Sequence, residues 1–277
     1  MGNRRATADQ QIDTRLASAV TSRKKADSND GQLTESLARG LEILACFDDV
    51  DIRLSNLELA DRTGLPKPTV SRLTYTLMVL GYLTYSDADG TYGLGGQLLA
   101  LARPLLSTRG FISVLRPAMK RLAQETGCSV VVGRRAGLSI TYINVFQGAN
   151  FVSLDIGIGS TVPIMYSAMG RAYVAALSKT ARAALQKELI DAEVDSAANV
   201  RNEVSNAAAA LQSQGFCQTL GEMHSDVNAA AVPLRTPGSD DLLLLMCGGP
   251  AYILTADVIR DQVGPELIEI GNTLGPA

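Results

Sequence analysis

The sequence predicts a two-domain α/β chain: a small helical unit carrying a β-hairpin, joined by a helix to a larger domain of sheet covered by helices. Length is the first observation behind this, since 277 residues exceed one small domain and suit two of roughly 150 each. Composition is the second, with 46% hydrophobic residues, enough to bury a sizeable core. Pattern is the third. Helix signals over 34–81 end in a tight-turn hairpin, whereas beyond 110 strand-like and helix-like runs mix.

In TESLARGLEILACF (34–47), Leu37, Leu41, Leu44, Ala45 and Phe47 follow helical spacing. Thr34 is placed to cap the start, and the run from Asp48 to Asp51 ends it. Ser55 and Glu58 then form an S-x-x-E capping box, in which the serine oxygen takes a free helix amide and the glutamate reaches back to the cap. Gly64 closes this short helix, Leu57 and Ala60 face inward, and Leu65 packs in the turn. Pro68 suits the first turn of a third helix, where its missing N–H costs nothing. That helix carries Val70, Leu73, Leu77 and Leu80 on one face and Thr69, Ser71, Arg72 and Thr76 on others. Residues 82–85 and 91–94 are β-prone, and Asp89-Gly90 is a tight-turn signal. The order of these elements over 54–94 is that of a winged helix-turn-helix.

An apolar helix over 96–107 follows, interrupted by Pro104, and reads as a linker whose apolar stripe suits either its own domain or a second subunit. The larger domain opens with an amphipathic helix over 111–126. Strands are expected at 129–133, 139–145, 151–156, 227–234 and 242–247, with helices at 166–177, 180–192, 201–214, 255–263 and 265–274. The resulting division is a leader over 1–32, a winged helix-turn-helix domain over 33–95, a linker over 96–109 and a larger domain over 110–277, to which a family resemblance assigns effector binding and oligomerisation.

Charge narrows the function classes. The net charge is −3, so no global basic balance advertises nucleic acid. Arg39, Arg53, Arg62, Lys67 and Arg72 are outnumbered by acids between 34 and 95, yet 66–86 holds no acidic residue. The basic residues of the leader read as a solvated tail, with phosphate contact as the alternative. No stretch is long and apolar enough for a signal peptide core or a bilayer span, so a cytoplasmic protein without membrane contact is expected. Cys46, Cys128, Cys217 and Cys247 are far apart and the only histidine is His224, so neither zinc nor another cofactor is expected.

The second helix of a helix-turn-helix enters the major groove by its N-terminal end. Here Lys67, Pro68, Thr69, Ser71 and Arg72 occupy that end, with Thr76 a turn further on and Arg39 on the first helix as a further candidate contact. Arginine can hold guanine with two hydrogen bonds, lysine can meet guanine or phosphate, and threonine and serine can bond either. The double-stranded DNA reading competes with a winged helix used for protein contacts.

The segments SLARGLEILACF, LSNLELADRTGLPKPTVSRLTYTLMVLGYL and TYGLGGQLLAL strongly resemble the IclR family of regulators, and LRPAMKRLAQETG, SAMGRAYVAAL and NAAAVPL resemble it more weakly. The resemblance runs from Leu33 to the end. It implies a GAF-like α/β effector domain, dimers or tetramers on near-palindromic operators, and a small organic acid as effector, aromatic or a short-chain catabolite. It also implies a pocket on one face of the C-terminal sheet, for which Ser160, Ala168, Met169, Gly170, His224, Asp226 and Cys247 are the matching positions. Small residues at 167–170 would leave helix amides open to a carboxylate. His224 and Asp226 could bond a hydroxyl or carbonyl. Two rivals stand beside this reading: an enzyme using Cys247 as nucleophile with His224 as base, and a redox sensor using Cys128, Cys217 or Cys247.

Overall fold

The structure, a computed structural model, describes residues 33–48, 50–106, 111–148, 156–235 and 241–273. Two compact units part between Ser107 and Thr108. The first contains α1 (Glu35–Leu44), β1 (Arg53–Ser55), α2 (Asn56–Thr63), α3 (Lys67–Val79), β2 (Leu83–Ser86), β3 (Thr91–Leu94) and α4 (Gln97–Leu106).

The capping box forms as its chemistry demands. The Glu58 amide donates to Ser55 Oγ at 3.3 Å, and the Ser55 amide donates to Glu58 Oε2 at 2.7 Å. The bond from the Ser55 backbone holds the Glu58 carboxyl below its usual range. Gly64, at φ +68°, takes the left-handed conformation that stops α2 and turns the chain toward α3. Thr34 stands at the cap of α1, but its side chain makes no capping bond.

Ile43, Leu54, Leu59, Val70 and Leu83 form the core of this unit. Leu59 and Ala60 supply the inward face of α2, while Leu57 is 49% exposed. An eight-residue helix has too few turns for apolar spacing to fix its inward side. On α3, Val70 and Thr74 are buried and Leu80 is exposed. The Thr74 hydroxyl donates to the Val70 carbonyl at 2.9 Å, which is why a polar residue can take a core position. The hairpin β2–β3 gains a third strand, β1, whose Leu54 lies opposite Tyr92. Three residues are too few to announce a strand by alternation.

The second unit begins with α5 (Phe111–Thr126) and continues through β4 (Ser129–Ala136), β5 (Ser139–Phe146), β6 (Thr161–Pro163), α6 (Ala168–Ala176), α7 (Lys179–Asp191), α8 (Ala197–Gln214), β7 (Cys217–Leu220), β8 (Val227–Arg235) and β9 (Leu242–Pro250). α9 (Ala256–Val258) then runs through a π-helical turn (Ile259–Val263) straight into α10 (Gly264–Asn272), where two separate helices were expected. The six strands lie in the order β6-β5-β4-β9-β8-β7, antiparallel throughout.

Alternation along the strands builds two cores. On β9, Leu243, Leu245 and Cys247 face a layer formed by α5 and α10. Leu244 and Met246 face the opposite layer, formed by α6, α7 and α8. Gly133 on β4 lets α6 sit close, since a Cβ there would stand 2.9 Å from Met169 Sδ. Short strands β6 and β7 escaped the sequence reading. The expected strand over 151–156 falls, apart from Ile156, outside the described residues. α8 begins at Ala197 rather than 201 because Ser196 caps it, accepting the Asn199 amide at 3.2 Å. Among the described residues, no helix is long and apolar enough to cross a membrane.

Candidate functional site

In the small unit the question is which cations are free to meet an anion. Arg53 is spent on the wing, where Nε donates to Thr91 Oγ1 and Nη2 to the Thr91 carbonyl, each at 2.9 Å. Arg62 is ion-paired to Asp51 and donates to the Cys46 carbonyl at 2.8 Å. Arg39 pairs with Glu35 at 2.8 Å, one turn earlier on the exposed side of α1. Such a pair is worth only a few tenths of a kcal/mol, about 0.3–0.5, and yields readily to a phosphate. Lys67 and Arg72 make no ion pair among the described residues, and both are exposed. Both stand on α3, within a stretch, 66–86, that contains no acidic residue.

The hydroxyls of α3 divide the same way. Ser71 Oγ donates to the Lys67 carbonyl at 3.0 Å and accepts from Asn56 Nδ2 at 2.5 Å, so it ties the start of α2 to α3 instead of standing ready for a base. Thr76 Oγ1 is turned back onto the Arg72 carbonyl at 3.0 Å. Thr69, half-buried, keeps its hydroxyl near the helix start. Pro68 sits in the first turn, where it costs no hydrogen bond. Asn56 was missed by sequence reasoning, because its partner lies in another helix. Beside α3 runs an open groove of about 1430 Å³, walled by Leu37, Leu41, Leu80, Leu98 and Leu101 and also by Arg72.

In the large unit Ala168, Met169 and Gly170 lie together, Ser160 lies before the edge strand β6, His224 and Asp226 lie beside the opposite edge strand β7, and Cys247 faces the other layer. Ala168, Met169 and Gly170 form the first turn of α6 and are buried, with Met169 wholly enclosed. The amide of Gly170 donates to Ser167 Oγ at 3.0 Å, so it is already capped, against the expectation of an open carboxylate cradle. Ser167 in turn donates to the Pro163 carbonyl. Ser160 lies in the turn before β6, with its carbonyl accepting from Tyr142 N at 2.9 Å and its hydroxyl from Gly157 N at 3.1 Å. Tyr142 is buried on the same side of the sheet, and that burial pushes its phenol well above the usual range, keeping it protonated.

His224 and Asp226 belong to the turn between β7 and β8, His224 half-buried and Asp226 exposed. Arg171 binds this turn to α6. Its Nη1 donates to Glu222 Oε2 and to the Gln218 carbonyl, each at 2.6 Å, and its Nε donates to Glu203 Oε1 at 2.5 Å. Sequence reasoning passed over Arg171, although a cation inside SAMGRAYVAAL was the available signal.

Cys247 does not share the face of α6. It points into the α5/α10 layer and is 0% exposed. Gly248 occupies the α6 side instead, near Ala229 and Met246. Strand alternation requires this: one residue along β9 changes the face. The separation also removes Cys247 from His224 as a nucleophile–base pair. Among the described residues, no group of three His, Cys, Asp or Glu side chains is placed to hold a metal ion.

Comparison with known proteins bears on both units. Residues 36–87 match the IclR helix-turn-helix domain, and residues 104–247 match the bacterial transcriptional regulator IclR C-terminal domain. The chain is 31% identical over 241 residues to the HTH-type transcriptional regulator TsaQ1/TsaQ2 of Comamonas testosteroni, covering 85% of each. A crystal structure of an IclR family transcriptional regulator from Brucella abortus is 37% identical, covers 90% of this chain and 94% of its own, and superposes with a TM-score of 0.75. An IclR homolog from Microbacterium hydrocarbonoxydans, crystallised in complex with 4-hydroxybenzoate, shares the fold at 20% identity and a TM-score of 0.62, over 86% of this chain and 95% of its own. The Comamonas and Brucella proteins are named as transcriptional regulators. With both family domains matched over most of its length, the chain belongs to the IclR family of DNA-binding transcriptional regulators.

Proposed function

We propose that two copies of this chain read a near-palindromic operator through α3, and that a small organic acid bound in the large unit controls the reading. One observation carries the first half: of the five cations between 34 and 95, the two on α3 are the ones without an ion-pair partner among the described residues. Arg72 is assigned to a base edge, Lys67 to phosphate or guanine, and Thr69 to the phosphate at the helix start. Arg39 supports these by exchanging Glu35 for a phosphate. Ser71 and Pro68 shape the helix start, and Thr76 lines its flank. The first unit carries more acid than base, so one copy alone holds DNA weakly. Pairing compensates, and the apolar walls of the groove, with Leu37, Leu41 and Leu101 each more than half exposed, favour a second copy as occupant. Whether pairs assemble further into tetramers does not alter the reading of one operator.

The effector reading rests on the α6 side of the sheet. Ser160, Ala168, Met169 and Gly170 frame it, with His224 and Asp226 at its edge. Gly248 and Ala229 take the place first given to Cys247. The 4-hydroxybenzoate held by the Microbacterium homolog favours an aromatic hydroxy acid. A thermal-shift screen of 4-hydroxybenzoate, benzoate and short-chain acids tests this. At one hundred times its dissociation constant, a ligand binding only the folded state adds about 2.7 kcal/mol, a rise of several degrees. A rise with one of these acids is the expected result. Flat melting curves across the series would remove the effector half while leaving DNA reading intact.

A further inference from the structure

Cys128 and Cys247 form a buried thiol pair that neither DNA reading nor the α6 side of the sheet uses. Cys128 follows Gly127, which ends α5, and leads into β4. β4 and β9 are antiparallel, with Val130 opposite Cys247 and Ser129 opposite Gly248. One step further sets Cys128 against Gly249, so Cys128 and Cys247 are diagonal neighbours on one face of adjacent strands. Gly249 makes room for the sulfur, since a Cβ there would stand 2.5 Å from Cys128 Sγ. Both residues belong to the same core layer and are almost wholly buried, at 1% and 0% exposure. Their proximity pulls the Cys128 thiol down from its usual range and pushes the Cys247 thiol well above it. Cys128 Sγ donates to the Thr126 carbonyl at 3.6 Å, as Cys46 and Cys217 do to the carbonyls of Glu42 at 3.3 Å and Ala207 at 3.6 Å, and burial pushes Cys217 up to about 12.

We propose that Cys128 and Cys247 are a modification site for reversible two-electron oxidation, switching between dithiol and disulfide. The burial selects a small uncharged oxidant, and hydrogen peroxide is that class. The Cys128 thiolate attacks one peroxide oxygen. The O–O bond breaks, one oxygen leaves as water after taking a proton, and Cys128 becomes a sulfenic acid. The Cys247 sulfur then attacks the Cys128 sulfur, the S–O bond breaks, and the thiol proton leaves with the hydroxyl as a second water. Two electrons pass from the sulfurs to the peroxide. The product ties the C-terminal end of α5 to β9, and a dithiol reductant reverses it.

The test uses the full-length chain, reduced and then exposed to graded hydrogen peroxide. Remaining thiols are blocked and the digest is mapped by mass spectrometry. The expected product is a peptide pair joining Cys128 to Cys247, lighter by about two hydrogens than the sum of its parts. It disappears on reduction with dithiothreitol, while Cys46 and Cys217 are recovered as blocked thiols. In Cys247→Ala, Cys128 should be trapped as a sulfenic acid by dimedone. In Cys128→Ala, Cys247 should stay a thiol. The wild-type map stands whether or not these variants fold. Absence of the 128–247 link in folded protein at peroxide levels that oxidise Cys46, or links that instead join other cysteines, would overturn the proposal.

Discussion

Replacing Arg72 with alanine is expected to lower operator affinity by about 5- to 150-fold for each subunit, the ~1–3 kcal/mol lost with a two-bond guanine contact. The melting temperature should stay within a degree or so of wild type, because the guanidinium is exposed and makes no ion pair among the described residues. Lys67→Ala should behave differently. A lost phosphate contact weakens binding to all sequences alike and flattens the dependence of log affinity on log salt by about 1. Fluorescence anisotropy over a salt series separates the two. Ser71→Ala supplies a third pattern: with its hydroxyl already engaged by Asn56 and Lys67, it should act through helix placement, and Asn56→Ala should reproduce it. If Arg72→Ala binds as wild type does, α3 is not the reading helix.

Gly170→Ala is expected to destabilise the large unit by about 3 kcal/mol, lowering its melting temperature by roughly 10 °C. The added Cβ would fall on the backbone carbonyl of Ile164, which cannot move aside as a flexible side chain could. Gly170 was first singled out as an effector contact. The geometry gives it a second task, the close approach of α6 to the segment before it. Differential scanning calorimetry decides between them: a contact residue alone would leave the unliganded protein's transition unchanged, whereas the packing account requires it to fall without any ligand present.

The parts of this fold that were legible in the sequence are those set by local chemistry. The Ser55–Glu58 box, the left-handed Gly64, Pro68 in a first turn and the Asp89-Gly90 hairpin each act within a few residues, and each stands where expected. What was missed is long-range. β1 exists only because Leu54 finds Tyr92, and the inward face of α2 was settled by α1 and α3 rather than by its own spacing. The candidate site divides likewise. Lys67 and Arg72 could be named because their helix was named. That Arg53 and Arg62 are consumed by partners 38 and 11 residues away, and that Ser71 is held by Asn56, could not be read from order alone. Cys247 was misplaced for a simpler reason. In a strand buried on both faces, hydrophobic character does not reveal which side each residue takes, and a one-residue difference in register reverses it.

Paired α3 helices that read DNA must select a specific sequence. Selection of bound fragments from a random double-stranded DNA library by the full-length protein tests this directly. The predicted result is a two-fold symmetric sequence whose half-sites are spaced by about one helical turn, near 10 base pairs, or a multiple of it. It should fail to enrich with the Arg72→Ala chain. No enriched sequence, or the same sequence enriched by both chains, would contradict the assignment of Arg72 and of the helix that carries it.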